Sequence, residues 1–153
     1  MKRLLIITAL LTMWLNIVLA QDDSKLFMWE VHTVTMRDGR TRQAMEKSQF
    51  LKPMPPPKDQ QTVIMSLLTF NGILLGNISF GNAAFDFNDY KIARTSDGHK
   101  YMEFLNDNRN VSVAIFFGIK DTDEYEDSAI VTLFQDDIVT QLVYMMKRVG
   151  GFD

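Results

Sequence analysis

Side chains that commonly perform acid, base or metal chemistry are sparse in this sequence. It contains two histidines, His32 and His99, and no cysteine, and neither histidine stands beside another at the spacing of a metal site. Ser96-Asp97-Gly98-His99 contains the residue types of a hydrolytic triad, but triad members meet through space rather than along four successive positions. Its composition is that of a hairpin turn. We therefore predict no catalytic residue, no metal ligand and no cofactor, and expect a protein that is not an enzyme.

An acidic stretch, Lys120–Ser128, partly matches the pattern of a calcium-binding loop. Asp121 and Asp123 match the first two ligand positions of such a loop. Glu126, however, stands where the loop requires glycine, and Thr132 stands where a bidentate carboxylate closes the site. The stretch is therefore predicted to be a solvated acidic loop and not a calcium site.

The N-terminal residues have the pattern of an export signal. Lys2-Arg3 supplies a positive start, and the uncharged run Leu4–Ala20 ends in small residues before Gln21, which predicts a signal peptide over residues 1–20. A retained membrane anchor is the alternative, because seventeen uncharged residues are at the short limit for crossing a bilayer. Once the signal is cleaved, we expect no membrane span.

Removal of residues 1–20 leaves 133 residues with 14 basic and 19 acidic side chains. A net charge of −5 disfavours nucleic-acid binding, which needs clustered Lys and Arg. This length corresponds to a single domain, residues 21–153. Small exported animal domains usually depend on disulfides, so the absence of cysteine favours a secreted or periplasmic bacterial protein.

Short turn signals divide the mature sequence into predicted hairpins. The clearest is Thr62–Phe80, in which two apolar runs meet at Asn71-Gly72, a pair that tolerates the positive φ angles of a type I′ turn. The same signal recurs at Asp38-Gly39 and Asp97-Gly98, each between segments with strand character.

Further strands are predicted from alternating or β-branched runs. They are Leu26–Met36, Thr41–Leu51, Phe85–Ala93, Lys100–Leu105, Val111–Ile119, Ala129–Gln135 and Ile138–Val149. The composition of Thr41–Leu51 also allows a helix. Ile138–Val149 carries both a helical apolar stripe and many β-formers, so a C-terminal helix is its alternative. The proline-rich segment 53–57 cannot donate to a sheet ladder and is predicted to be a stiff spacer.

These segments predict an all-β fold, an antiparallel meander of eight to nine strands. A sheet of this size twists and would expose two unpaired edges. We therefore expect it to close as an up-and-down barrel or, alternatively, to fold into a β-sandwich.

The pattern resembles the lipocalin-type secreted barrels. In those proteins a Gly-x-Trp motif marks the first strand, and an Arg near the end of the barrel packs across the Trp. The corresponding positions are Phe27-Met28-Trp29, with Phe27 in place of the glycine, and Arg148. The resemblance implies a barrel with an interior ligand pocket and contact between Trp29 and Arg148.

The first functional hypothesis is a non-enzymatic exported protein that binds a small apolar ligand. Several predicted strands are apolar on both faces, more than one thin core layer requires. The predicted pocket residues are Trp29, Phe70, Phe85, Phe87, Tyr101, Phe104, Phe116 and Tyr144. The alternative is a structural or protein-interaction β-sandwich module, whose outer apolar residues meet a protein partner or a second copy.

Overall fold

The computed structural model describes residues 23–41, 51–119 and 126–151, with the backbone alone for 38–41. The predicted signal peptide, most of the predicted strand Thr41–Leu51 and the calcium-loop positions Asp121 and Asp123 lie outside these ranges. Within them the fold is all-β: nine strands form a single antiparallel sheet.

The strands follow the predicted meander closely. They are β1 Asp23–Thr41, β2 Thr62–Phe70, β3 Ile73–Phe80, β4 Ala83–Phe87, β5 Lys91–Arg94, β6 Lys100–Leu105, β7 Val111–Phe117, β8 Asp127–Gln135 and β9 Ile138–Gly150, with a short 3₁₀ helix at Lys58–Gln60. Their order in the sheet is β4-β3-β2-β1-β9-β8-β7-β6-β5. The first strand thus pairs with the last, and β4 and β5 are the two edges.

The β2–β3 hairpin confirms the Asn-Gly turn. Phe70 and Ile73 are register partners, and Asn71 and Gly72 adopt φ angles of 50° and 76°. Two positive φ angles in succession give the backbone twist that joins neighbouring strands through two residues. The turn at Asp97-Gly98 is confirmed as well, between β5 and β6.

The predicted turn at Asp38-Gly39 is wrong. β1 continues through it to Thr41, with a register shift against β9 between Arg37 and Arg40, so one extra residue is absorbed as a bulge. The chain does return along β1 at Met54, which exchanges two backbone hydrogen bonds with Val34, of 2.9 and 3.0 Å. Met54 lies between prolines and supplies the N–H that they lack.

A second irregularity in β1 lies at His32. The register against β9 shifts between Val31 and Thr33, and Val34, rather than Thr33, points into the core. The predicted alternation of Leu26–Met36 therefore holds only as far as Val31, because a bulge reverses the faces beyond it.

The predicted strand Phe85–Ala93 is two strands. β4 ends at Phe87 and β5 begins at Lys91, with no ladder between them. The three residues Asn88–Tyr90 are polar and exposed and carry the chain from one sheet edge to the other.

The predicted strand at Ile138–Val149 is confirmed as β9, and Ala129–Gln135 is confirmed within β8. The acidic loop ends earlier than predicted. Asp127 and Ser128 already belong to β8 and are buried, at 0% and 6% exposure. Asp127 is in phase with Ala129 and Val131, the inward-facing residues of the same strand.

One core contains buried residues from all strands except β5, so the sheet curls until its edges approach. The rings of Phe87 on β4 and Phe104 on β6 stack with centroids 3.8 Å apart. Asp107 N donates to Asp86 O at 3.1 Å. The result is a rolled sheet whose ladder remains open between β4 and β5.

Candidate functional site

Five of the eight predicted pocket residues lie on the inner face of the rolled sheet. Their arrangement follows from strand parity, since each occupies an inward position of its strand. Trp29, Phe87, Phe104 and Tyr144 are buried in the core, and Phe85 packs against it.

The other three predicted residues lie elsewhere. Tyr101 and Phe116 stack on the outer face, with ring centroids 5.2 Å apart, because the inward residues of β6 are Met102 and Phe104. Phe70 lies at the end of the β2–β3 hairpin and is 51% exposed. Aromatic character alone does not distinguish inward-facing from outward-facing residues, whereas the alternation of side chains along each strand does.

Trp29 and Arg148 meet at a buried carboxylate. They are register partners on β1 and β9. Trp29 Nε1 donates to Asp127 Oδ2 at 2.8 Å, while Arg148 donates from Nε to Oδ2 and from its terminal amine to Oδ1, both at 2.7 Å. The hydrogen bonds that Arg148 donates to the Asp127 carboxylate raise the pKa of the Arg148 guanidinium.

A fourth donor completes this cluster. The Gly118 backbone N–H donates to Asp127 Oδ1 at 2.8 Å. A buried carboxylate is tolerated when it is paired and hydrogen-bonded, and Asp127 meets both conditions. The cluster joins β1, β8, β9 and the end of β7. It is a structural junction between these strands.

The resemblance to lipocalin-type barrels implies contact between Trp29 and Arg148 but gives no role to Asp127. The sequence predicts Asp127 to lie in the acidic loop, because its neighbours in sequence are also charged. Its phase with Ala129 and Val131 was the available signal, since three alternate residues then share one face.

Tyr144 carries a second polar group of the interior. Its hydroxyl donates to Gln60 Oε1 at 3.0 Å, and its ring lies 4.7 Å from that of Phe80. Burial, with a smaller contribution from Asp59, raises the pKa of Tyr144 to about 12. Gln60 belongs to the 3₁₀ helix that precedes β2, so this hydrogen bond ties that helix to the interior.

Two clefts flank the open part of the ladder. One of about 600 Å³ lies between Asn88–Lys91 and the region from Glu103 to Arg109. The other, of about 430 Å³, lies between Ala84–Asp86 and the turn Asn106–Val111. Both clefts border the Asn106–Asn110 turn, where the β4 edge approaches the rest of the sheet.

The two histidines lie apart from these clefts. His99 occupies the β5–β6 turn, where its backbone N–H donates to Thr95 Oγ1 at 3.0 Å. His32 lies at the β1 bulge, and its buried Nε2 has no hydrogen-bond partner among the described residues. Residues 23–41, 51–119 and 126–151 contain no group of three or more metal-ligating side chains close enough to hold a metal ion.

In the same part of the chain, no helix has the length and apolarity needed to cross a bilayer. Comparison of the chain with protein-family models, with curated proteins and with solved structures found no match.

Proposed function

We propose that this protein is an exported, non-enzymatic binding protein that takes a small apolar ligand into the interior of its rolled sheet. The observation that carries this proposal is the concentration of aromatic side chains on the concave inner face. Trp29, Phe80, Phe87, Phe104 and Tyr144 all have exposures of 3% or less. Ligand pockets are typically lined by such side chains with a few polar groups among them.

Flexible side chains support the same function. Met65, Met102 and Met146 lie in the same core, at 1%, 4% and 0% exposure. Methionine side chains change rotamer at low cost and fill irregular space. An interior that contains three of them can repack around a guest molecule.

The resemblance to lipocalin-type barrels adds further support. Its implied contact between the first-strand Trp and a late Arg corresponds to the junction of Trp29 and Arg148 at Asp127. Phe27, in place of the motif's glycine, stacks on Trp29 with centroids 6.1 Å apart, so the substitution is accommodated within the core.

The experiment is a fluorescence titration of the whole chain with N-phenyl-1-naphthylamine, an uncharged probe that brightens in apolar surroundings. We expect saturable binding with one probe per chain. A matched pair on β7 localises the site, because Val113 faces the core and Ala114 faces outward. Val113→Phe should weaken binding strongly and Ala114→Phe should not, with thermal melts confirming that both variants fold.

Absence of saturable binding would contradict the proposal. Equal weakening by both β7 variants would also contradict it, because only Val113 lies on the inner face.

A second candidate function is a protein-interaction module, favoured by an apolar cluster on the outer face of the β2–β3 hairpin. Leu68 and Leu75 are register partners, as are Phe70 and Ile73, and their exposures range from 38% to 62%. Exposed apolar patches of this kind often mark contact surfaces. Light scattering over a range of concentrations tests self-association, and a monomer at every concentration would contradict it.

A further inference from the structure

We infer that the ligand enters between β4 and β5, the two sheet edges that are not hydrogen-bonded to each other. We also infer that this entrance favours an uncharged amphiphile over a fatty-acid anion. This inference rests on the proposed function. It adds the route of entry and the chemical class of the ligand.

The hydrogen bonding of the sheet leaves β4 and β5 unpaired with each other. Every pair of strands adjacent in sequence forms an antiparallel ladder except β4 and β5, while β1 and β9 pair with each other. Opening any ladder would break several backbone hydrogen bonds, each of which contributes about 1 kcal/mol. Between β4 (Ala83–Phe87) and β5 (Lys91–Arg94), a gap called here the β4–β5 seam, the edges share no ladder. Separating them breaks one backbone hydrogen bond, from Asp107 N to Asp86 O.

Ile92 on β5 shows that the inner face is exposed at this edge of the sheet. Its register partner is Met102, and cross-strand partners project from the same face of a sheet. Met102 is buried at 4% exposure, whereas Ile92 is 53% exposed. The inner face of the sheet therefore meets solvent along β5.

Two stacked aromatic rings and two clefts lie at the β4–β5 seam. The stacked rings of Phe87 and Phe104 lie behind it, and the clefts of about 600 and 430 Å³ lie along it. One backbone hydrogen bond, from Asp107 N to Asp86 O at 3.1 Å, connects the β4 edge with the β6–β7 turn. A molecule that parts this contact meets the two rings first and then the core.

The charges at the seam indicate the ligand class. Four carboxylates, of Asp86, Asp89, Glu103 and Asp107, and two cations, of Lys91 and Arg109, line the two clefts. The carboxylates outnumber the cations by two. Charges of one sign concentrated at a cleft disfavour ligands of the same sign, so an anionic head group is repelled there.

The experiment locks the seam with a disulfide. The chain has no cysteine, so Asp86→Cys with Asp107→Cys introduces a single possible intramolecular bridge at the backbone contact. The matched control is Leu68→Cys with Leu75→Cys, register partners in the β2–β3 hairpin that do not line either cleft. Loss of free thiol and intact mass confirm each bridge.

Uptake of N-phenyl-1-naphthylamine is followed by stopped-flow fluorescence. In the oxidised seam variant the uptake rate should fall by about tenfold or more, because the parted state is no longer populated. Reduction should restore it, and the control bridge should leave uptake unchanged. Equal uptake by the oxidised and reduced seam variant overturns the entry route and leaves the proposed function intact.

Absence of probe binding to the unmodified chain would instead contradict the proposed function itself. A second arm tests the ligand class with the anionic probe 1-anilinonaphthalene-8-sulfonate. Asp107→Asn and Asp89→Asn should each raise the protein's affinity for the anionic probe more than its affinity for the uncharged probe. Asp23→Asn on β1, which lines neither cleft, should not. Tighter binding of the anionic probe than of the uncharged probe to the unmodified chain overturns the assignment of ligand class.

Discussion

Trp29 on β1 and Arg148 on β9 face each other in register and donate to the same oxygen, Asp127 Oδ2, at 2.8 and 2.7 Å. The carboxylate is completely buried, while the Arg148 side chain is 34% exposed. This cluster reinforces the pairing of the first strand with the last, the pairing by which the meander forms one continuous rolled sheet.

Replacing Asp127 tests that junction. Asp127→Ala leaves the Arg148 guanidinium and the Trp29 indole N–H without this acceptor. Because Arg148 is partly exposed and can reach water, we expect a loss of about 1.5–3 kcal/mol of unfolding free energy, the usual contribution of hydrogen bonds to charged groups. Urea denaturation measures the change. The control Asp137→Ala removes an exposed carboxylate at the β8–β9 turn and should alter stability by less than about 0.5 kcal/mol. Equal stabilities for the two variants would contradict a structural role for the junction.

The β2–β3 turn is tested by a β-branched residue at its second position. Gly72 has φ +76° and nothing lies within 4 Å of a Cβ built there, so any cost of Gly72→Val arises from the backbone alone. We expect a loss of about 1–3 kcal/mol. Gly150 is equally open but lacks a positive φ, so Gly150→Val is the matched control. A melting temperature lowered equally by both variants would show that backbone strain is not the cause.

Gly76 on β3 provides space for an aromatic ring. A Cβ at this position would overlap the ring of Phe87, its register partner on β4, and Phe87 cannot move freely because it stacks on Phe104. Gly76→Ala should therefore destabilise the protein by about 1–3 kcal/mol, the usual cost of overpacking.

The second variant for this site is Gly76→Ala with Phe87→Leu, which removes the overlapping ring atoms. Chemical denaturation should find it less destabilised than the sum of the two single changes, because the two residues are in contact. Strict additivity would contradict the packing relationship.

The raised pKa of Tyr144 predicts that the free energy of unfolding decreases at high pH. Its pKa rises from 10.0 to about 12 in the folded chain, so the folded state holds the proton more tightly than the unfolded state. This contribution is fully present below pH 10 and is lost as the pH rises through about 12.

Ultraviolet titration of the phenolic groups provides the measurement. The chain has four tyrosines, and the phase that ionises near pH 12 should disappear in Tyr144→Phe. That variant should also lose about 1 kcal/mol at neutral pH with the hydrogen bond to Gln60. Persistence of the late phase in Tyr144→Phe would contradict the assignment.

Much of this fold is predictable from local sequence. The Asn71-Gly72 turn and the alternation of Val111, Val113 and Ile115 each depend on neighbouring residues, and both are confirmed. Asp38-Gly39 carries the same local signal as a real turn. The pairing of β1 with β9 overrides it, because a bulge lets the long strand continue.

The interior site is less predictable for the same reason. Trp29 and Tyr144 lie 115 positions apart in the sequence, and only the register of the whole sheet brings them to one face. Phe70 and Tyr101 have the same apolar character but the opposite phase. The gap between β4 and β5 is also hard to predict from local sequence. Phe87 and Lys91 are separated by three residues only, and the segment as a whole has the composition of one continuous strand.

The most direct test of an interior ligand uses Trp29 as its reporter. The chain has two tryptophans, so Trp14→Phe leaves Trp29 alone, at 0% exposure on the inner face. The measurement is quenching of its emission by a brominated long-chain alcohol, since bromine quenches an indole only at close range. The account predicts saturable quenching that the unbrominated alcohol reverses by competition. Calorimetric binding of the brominated alcohol without any quenching of Trp29 would contradict it.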